Sequence, residues 1–335
     1  MNLTEFFNQT IPVLEAEMRQ IIQDSLDPRA ELLKEIFLYH LGMDKDREAR
    51  GKRIRPLLIF LITHAFQVDW KRALPAAAAV EFLHNFSLIH DDVEDRSEQR
   101  HGWPTVWAKW GQAQAINAGD GMFTLVFHSA QQLKRYYPAE VTLTATELIS
   151  KACLQLVEGQ AMDVAYENQY NISITEYFQM IDGKTASLLA CCTQLGGLLA
   201  GVDSTRMALL KKLGYNLGRS FQVQDDLLGI WGDPQETGKP VDNDLTNHKH
   251  TLPVSYGLQM SNRFREKWMA GQILPGEVSV ISSWLMEDGV HSKVESDLNT
   301  LDDDTNKIMK DIKFNSSEGI SLLKEFILNL RTRKR

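Results

Sequence analysis

The residues best placed to do chemistry lie where an apolar, helix-patterned segment turns acidic, in Leu88-Ile89-His90-Asp91-Asp92-Val93-Glu94-Asp95. Side chains three, four and seven apart stack on one helical face, so Glu81, His84, Leu88, Asp91 and Asp95 form one line with Asp92 beside it. Carboxylates at i and i+4 repel, and nothing local neutralises them. A hard divalent cation such as magnesium would relieve the repulsion, because it prefers oxygen ligands, few from protein and the rest from phosphate and water. Taken alone, the run reads equally well as a solvated acidic helix end. A second copy breaks the tie: Phe221-Gln222-Val223-Gln224-Asp225-Asp226-Leu227-Leu228-Gly229 again carries a helical apolar pattern into an Asp-Asp pair. Two such helix ends could face one cavity and hold several metal ions over one polyanion.

The elements that must position these groups are helices. Apolar residues recur at three-and-four spacing over 4–24, 29–43, 55–67, 75–95, 105–136, 139–167, 174–201, 204–231 and 250–262, and alternating strand patterns are absent. No linker, low-complexity tract or fixed-period repeat interrupts the chain, so residues 1–335 read as one all-α domain. Between 261 and 317 the chain is more polar, and Asp302-Asp303-Asp304 is expected in a solvated loop.

The chain has 335 residues, 43% hydrophobic and 24% charged, which is enough to bury a large core. Its net charge of −8 disfavours nucleic acid and anionic membranes as partners. Cys153, Cys191 and Cys192 form no disulfide framework, which suits a reducing compartment, and the start Met1-Asn2-Leu3-Thr4-Glu5 has no secretory signal pattern. The apolar stretch 188–202 is too short and too polar to span a bilayer. A cytoplasmic protein without an integral membrane segment is expected.

Cations cluster at loops and helix starts. Gly51-Lys52-Arg53-Ile54-Arg55-Pro56 gathers three of them at a glycine-led helix start, where free backbone N–H groups also favour an anion. Arg100 and His101 follow the first acidic run, where they are either salt-bridge partners or clamps on a metal-held diphosphate. Lys184, Lys239 and Lys249 occupy further loop or helix-start positions.

Glu81-x-x-His84-x-x-Ser87-Leu88-Ile89-His90-Asp91-Asp92-x-x-Asp95 with Arg100, and Phe221-Gln222-x-x-Asp225-Asp226 followed by Gly232-Asp233, Thr237-Gly238-Lys239 and Asp244-Leu245, resemble the two aspartate-rich regions of the trans-isoprenyl diphosphate synthases, the polyprenyl synthetase family. Gly51-Lys52-Arg53-Ile54-Arg55-Pro56, Gly159-Gln160-x-x-Asp163 and Lys184-Thr185-Ala186 match further regions in the expected order, so the likeness runs from about residue 48 to 257.

The resemblance implies a helical bundle around a deep central cavity, the type I isoprenoid synthase fold, as a homodimer that joins isopentenyl diphosphate to an allylic diphosphate (dimethylallyl, geranyl or farnesyl). Carried over by position, Asp91, Asp92, Asp95, Asp225 and Asp226 would bind Mg2+, with three ions per site. Arg100, Lys184, Lys239 and Lys249 would hold the allylic diphosphate. Lys52, Arg55 and His84 would bind isopentenyl diphosphate, with His101 beside them, and Gln222 and Thr185 would line the path of the cationic carbon. The chemistry suits these residue types: ionising an allylic carbon–oxygen bond needs positive charge on the leaving diphosphate and a water-poor wall around the cation.

Two departures stand out. Gly229 replaces the carboxylate expected one turn after Asp225, so Gly229→Asp is expected to relieve an underliganded metal or, if the glycine is needed for close helix packing, to destabilise the protein. His101 stands where the resemblance implies a second arginine. In the family the residues four and five before the first aspartate govern product length, and Phe86-Ser87 with no insertion between Asp92 and Asp95 is similar to the archaeal-type geranylgeranyl pattern, so the resemblance implies a C20 product with C15 farnesyl as the alternative. Small Ser87 lies within about 40° of the Asp91 face. A terpene cyclase and a non-catalytic partner subunit are weaker alternatives. The first lacks a Ser and Glu around Asn243-Asp244-Leu245-Thr246-Asn247, and the second is at odds with an intact first acidic motif.

Overall fold

The computed structural model describes residues 1–44, 51–167, 169–232 and 243–332. Helices dominate them, and their ends follow local sequence. Helix α1 (Leu3–Ser25) opens with a reciprocal capping box in which Asn2 and Glu5 each accept the other's backbone N–H. Helix α2 is Glu31–His40 and α3 is Ile54–Ala65, with Pro56 in its first turn. Helix α4 (Leu74–Glu94) has Pro75 in its first turn, and its alanine run Ala76–Ala79 is fully buried, so neighbouring helices approach its backbone closely.

Beyond the first acidic run lies the only β structure among the described residues, a two-residue hairpin of β1 (Gln99–Arg100) and β2 (Trp103–Pro104) with Arg100 opposite Trp103. The long helix anticipated over 105–136 is divided: α5 (Val106–Trp110) stops at Gly111, whose φ of +85° leaves helical geometry, and α6 (Gln112–Gln131) restarts beyond it. Helix α7 is Ala139–Tyr166. The stretch expected as one helix over 174–201 resolves into α8 (Ile174–Ile181), a π-helical turn at Asp182–Ala186, and α9 (Ser187–Leu199). Helix α10 (Ser204–Trp231) carries the second acidic motif. After the one-turn α11 (Asn243–Thr246) come α12 (Leu252–Met260), α13 (Asn262–Met269), α14 (Val278–Glu287), α15 (Val290–Ile312) and α16 (Ser317–Arg331).

The loop expected at Asp302-Asp303-Asp304 is instead the interior of α15. Val290, Val294, Leu298, Thr305, Met309 and Ile312 form a buried stripe at helical spacing, and Asp302 pairs with Arg331. Aspartates on the outer face masked that stripe in the sequence.

The chain forms two compact units. The first comprises Met1–Ser150, Cys192–Asp203 and Phe314–Leu323, and the second comprises Lys151–Cys191, Ser204–Lys313 and Lys324–Arg335. The first has α4 at its centre, lined by buried residues such as Val80, Phe82 and Leu83. The second has a core in which Tyr177, Val223, Ile230, Leu245, Leu252, Phe264 and Trp268 pack together. Among the described residues no helix is long and apolar enough to cross a membrane.

Candidate active site

In the first unit the acidic run is the last turn of α4, closed by the Asp95 N–H donating to the Asp91 carbonyl. Asp91 is half-buried and Asp95 exposed, while Asp92 is almost wholly buried. The hairpin brings Arg100 back to this turn, where its Nε and terminal nitrogen donate to Asp92 at 2.8–3.1 Å. Burial raises the Asp92 carboxyl above its usual range, and Arg100 opposes that shift. Arg100 thus pairs with Asp92, which is one of the two roles open to it in the sequence. His101 sits exposed at the hairpin tip with a left-handed φ of +53°.

Lys52 and Arg55 bracket the start of α3, Lys52 exposed and Arg55 half-buried. Between them Arg53 turns inward through a left-handed backbone (φ +47°, ψ +36°) and is 4% exposed. Its guanidinium donates to Glu81 at 2.6 Å, to the Leu41 carbonyl at 2.5 Å and to Glu15 at 3.4 Å. Burial alone would lower its pKa, but Glu81 and then Glu15 outweigh it and keep the cation charged. Glu81, read in the sequence as part of the acidic line, is thus the anchor of the basic loop. One turn on, His84 is pressed well below the usual imidazole pKa, first by burial and then by Arg55, Arg100, His40 and Arg53. It is neutral at physiological pH and offers hydrogen bonds rather than charge.

In the second unit two sequence motifs prove to be one contact. A Cβ on Gly159 of α7 would lie 2.1 Å from the Lys184 backbone nitrogen, and one on Gly183 would lie 2.6 Å from the Gln155 carbonyl oxygen. Only two glycines allow this approach, and it lets Asp163, one turn after Gly159, pair with the Lys184 ammonium. The π-turn is further fixed by Arg219, which grips Asp182 through two bonds of 2.6 Å. From that turn a polar chain runs inward. The Thr185 hydroxyl donates to Gln222 (2.9 Å), whose amide donates to Asp226 Oδ1 (3.0 Å), while Asp226 Oδ2 accepts from the Tyr177 hydroxyl (2.6 Å) and the Leu252 N–H (2.9 Å). Burial pushes the Asp226 carboxyl up to about 7 despite these donors. Asp225 lies half-buried next to it. Lys249 is half-buried, its N–H donating to the Asp244 carbonyl, and Lys239 lies outside the described residues.

Among the described residues no three His, Cys, Asp or Glu side chains converge closely enough to hold a metal by themselves. The donors at both motifs are carboxylates alone, which suits a hard cation completed by phosphate and water rather than a protein cage.

The sequence matches the family described as Polyprenyl synthetase over residues 38–274. The chain belongs to the polyprenyl synthetase family. It is 41% identical over 260 residues to a (2E,6E)-farnesyl diphosphate synthase of Mycobacterium tuberculosis, covering 74% of this chain and 70% of the relative. A geranylgeranyl diphosphate synthase of the same organism is 39% identical over 244 residues, covering 71% and 69%. The crystal structure of a polyprenyl synthetase from Streptomyces coelicolor A3(2) superposes with a TM-score of 0.85 at 32% identity, covering 96% of this chain and 97% of that one. The all-α fold is that of the polyprenyl synthases.

Within this site, sequence reasoning missed two participants. Tyr177 stands in an ordinary apolar helix, and only its partner reveals it. Arg53 was one of three cations, and nothing in the spacing said that the middle one turns inward. Of the two sequence readings of Gly229, close packing is the one the structure bears on: a Cβ there would lie 2.0 Å from Asp244 Oδ2, so the space is already occupied by a carboxylate.

Proposed function

We propose that this chain, read as one polyprenyl synthetase-like domain over 1–335, condenses isopentenyl diphosphate with an allylic diphosphate head to tail, giving an all-trans short-chain prenyl diphosphate. As a member of its family the chain is a prenyltransferase. The observation that carries the reading is the division of labour on α3 and α4. A basic helix start with Lys52 and Arg55 serves one diphosphate, while the acidic turn Asp91–Asp95 suits a metal-bound one. A cyclase acting on a single diphosphate would have no use for the first.

Asp91, Asp92 and Asp95 with Asp225 would hold magnesium, three ions in all, and Asp226 serves as a positioning group because its oxygens already accept from Tyr177, Gln222 and Leu252. Bound magnesium would neutralise the charge that develops on the departing diphosphate. Lys184, held by Asp163, adds positive charge at the π-turn, and Arg100, Lys239 and Lys249 complete the allylic side. Lys52, Arg55, neutral His84 and His101 orient isopentenyl diphosphate. Thr185 and Gln222 present oxygen dipoles that stabilise a carbocation without attacking it.

The product favoured is C20. Ser87 is small and buried, and its hydroxyl donates to the His84 carbonyl of its own helix at 2.8 Å, so it projects little into the space beside α4. A C15 product is the second reading, favoured by the 41% identity to a farnesyl diphosphate synthase. We further propose a cytoplasmic homodimer. Omitting isopentenyl diphosphate is the test of reaction class: a synthase then leaves farnesyl diphosphate unchanged, and release of a hydrocarbon from that substrate alone would make the protein a cyclase.

A further inference from the structure

Lys249 is flanked by His248 and His250, and both of those rings rest on a single indole. The His248 ring centre lies 4.4 Å from that of Trp268, and the His250 ring centre 5.7 Å from it. Trp268, on α13, is 1% exposed and is backed by Phe264, with 5.6 Å between ring centres. Hydrogen bonds fix each member of this cluster. A carbonyl oxygen only accepts, so both imidazoles donate through Nε2, His248 to Gly271 at 2.9 Å and His250 to Gln169 at 2.7 Å. The Trp268 indole N–H donates to the Tyr170 carbonyl at 3.1 Å. Two left-handed positions make the arrangement possible. His248 turns at a φ of +51°, and Gly271, at +102°, folds the chain back beyond α13 while its N–H donates to the Trp268 carbonyl at 3.2 Å.

These bonds tie the strap 248–250 to Gln169 and Tyr170, which follow shortly after α7. Asp163, in the last turn of α7, pairs with Lys184. Two lysines assigned to the allylic side are thus held from the end of α7 and the segment just past it, Lys184 through a carboxylate and Lys249 through an aromatic cluster. Beyond the strap the Leu252 N–H donates to Asp226 Oδ2 at 2.9 Å, which fixes its far end to α10. A lysine stem is long and flexible, so what a fold can hold for it is the backbone it starts from. Fixing that backbone beforehand lowers the ordering cost that a bound diphosphate must meet.

We propose that Trp268 is a positioning residue for prenyl transfer: through His248 and His250 it holds the strap so that the Lys249 ammonium meets the allylic diphosphate. The inference rests on the prenyl synthase reading and adds to it a residue that lies outside every acidic and basic motif of the sequence. Buried as it is, the indole acts only through the strap.

The test is a double-mutant cycle in two-substrate kinetics with magnesium, using isopentenyl diphosphate and whichever of dimethylallyl, geranyl and farnesyl diphosphates the wild type elongates. Trp268→Leu removes the indole plate and its N–H. His248→Asn removes one ring while keeping a residue type that tolerates the left-handed backbone. Each should raise the Michaelis constant for the allylic diphosphate by about 10-fold and leave that for isopentenyl diphosphate near wild type. Lys249→Gln should raise the allylic constant by itself, and adding either variant to it should bring no further loss, because the contact they position is already gone. A merely structural role would lower the amount of folded enzyme, and so kcat, without moving either Michaelis constant. Thermal unfolding is followed for every variant, and if Trp268→Leu does not fold, His248→Asn decides. An unchanged allylic constant in folded His248→Asn or Lys249→Gln, an equal rise for both substrates, or full additivity with Lys249→Gln overturns the inference while the reaction class stands. A wild type that elongates none of the three allylic diphosphates would take down the prenyl synthase reading itself.

Discussion

The Tyr177 hydroxyl donates to Asp226 Oδ2 across 2.6 Å inside the second unit, joining α8 to the acidic end of α10. Asp226 is the inner carboxylate of its pair. It fixes the partners of Gln222 and the start of α12.

Its raised pKa has a consequence for stability. Burial lifts the Asp226 carboxyl from 3.8 to about 7, so between those values the folded protein keeps a proton that the unfolded chain has released. Stability of the metal-free protein should therefore fall as pH rises through that window and level off above it. Asp226→Asn should flatten the fall, and Tyr177→Phe, which removes a donor that lowers the pKa, should extend it to higher pH. Urea unfolding at pH 5 and pH 8 checks this, and parallel pH profiles for wild type and Asp226→Asn would contradict it.

Gly159→Ala should lower both stability and turnover. Its new Cβ would meet backbone atoms of Gly183 and Lys184, which cannot rotate aside, so about 1–3 kcal/mol of overpacking is expected. The displaced π-turn carries Lys184 and Thr185, so kcat should fall beyond what unfolding explains. Thermal melting beside single-turnover kinetics separates the two effects.

Much of the site was legible because it is written in short-range spacing. Asp91 and Asp95 share a face by helical arithmetic, and Gly159 with Asp163 is likewise a one-turn pair. What stayed hidden depends on chain reversals. The inward turn of Arg53 needs a left-handed residue that no local residue type demands, and the arrival of Asp244 over Gly229 needs the path taken after α10. The same limit applies to the fold. Gly111 and the π-turn divide stretches whose apolar period continues unbroken, and α15 shows too few apolar residues per turn to stand out.

Arg53 and Arg55 should behave as opposites although two residues apart. Arg53→Met leaves Glu15 and Glu81 buried without their cation and should cost about 3–5 kcal/mol, most of it recovered when both glutamates are also made apolar. Arg55→Ala should leave the melting point close to wild type and raise the Michaelis constant for isopentenyl diphosphate by roughly 10- to 100-fold, with less effect on the allylic substrate. Denaturant unfolding and two-substrate kinetics distinguish them, and a larger effect of Arg55→Ala on the allylic substrate would reverse the assignment of the two diphosphates.

Ser87→Phe should shorten the major product by at least one five-carbon unit while the first condensation survives. Phe86, the neighbouring bulky residue, already packs its ring against Phe123 of α6 at 5.2 Å, so a second aromatic at 87 would project on a different side of α4. Product chain lengths from wild type and variant provide the check. An unchanged distribution in an active variant would place the floor elsewhere, with Leu83, fully buried one turn earlier, as the next position to change.

The central claim is that the carboxylates ending α4 hold magnesium for the condensation of isopentenyl diphosphate with an allylic diphosphate. Mass spectrometry of products formed with magnesium from isopentenyl diphosphate and each of dimethylallyl, geranyl and farnesyl diphosphates, using wild type and Asp91→Ala, tests it most directly. The account predicts a prenyl diphosphate longer by five-carbon units from the wild type, none when magnesium is chelated, and none from a folded Asp91→Ala protein. Elongation at a near-native rate by Asp91→Ala, or no elongation by the wild type, would contradict it.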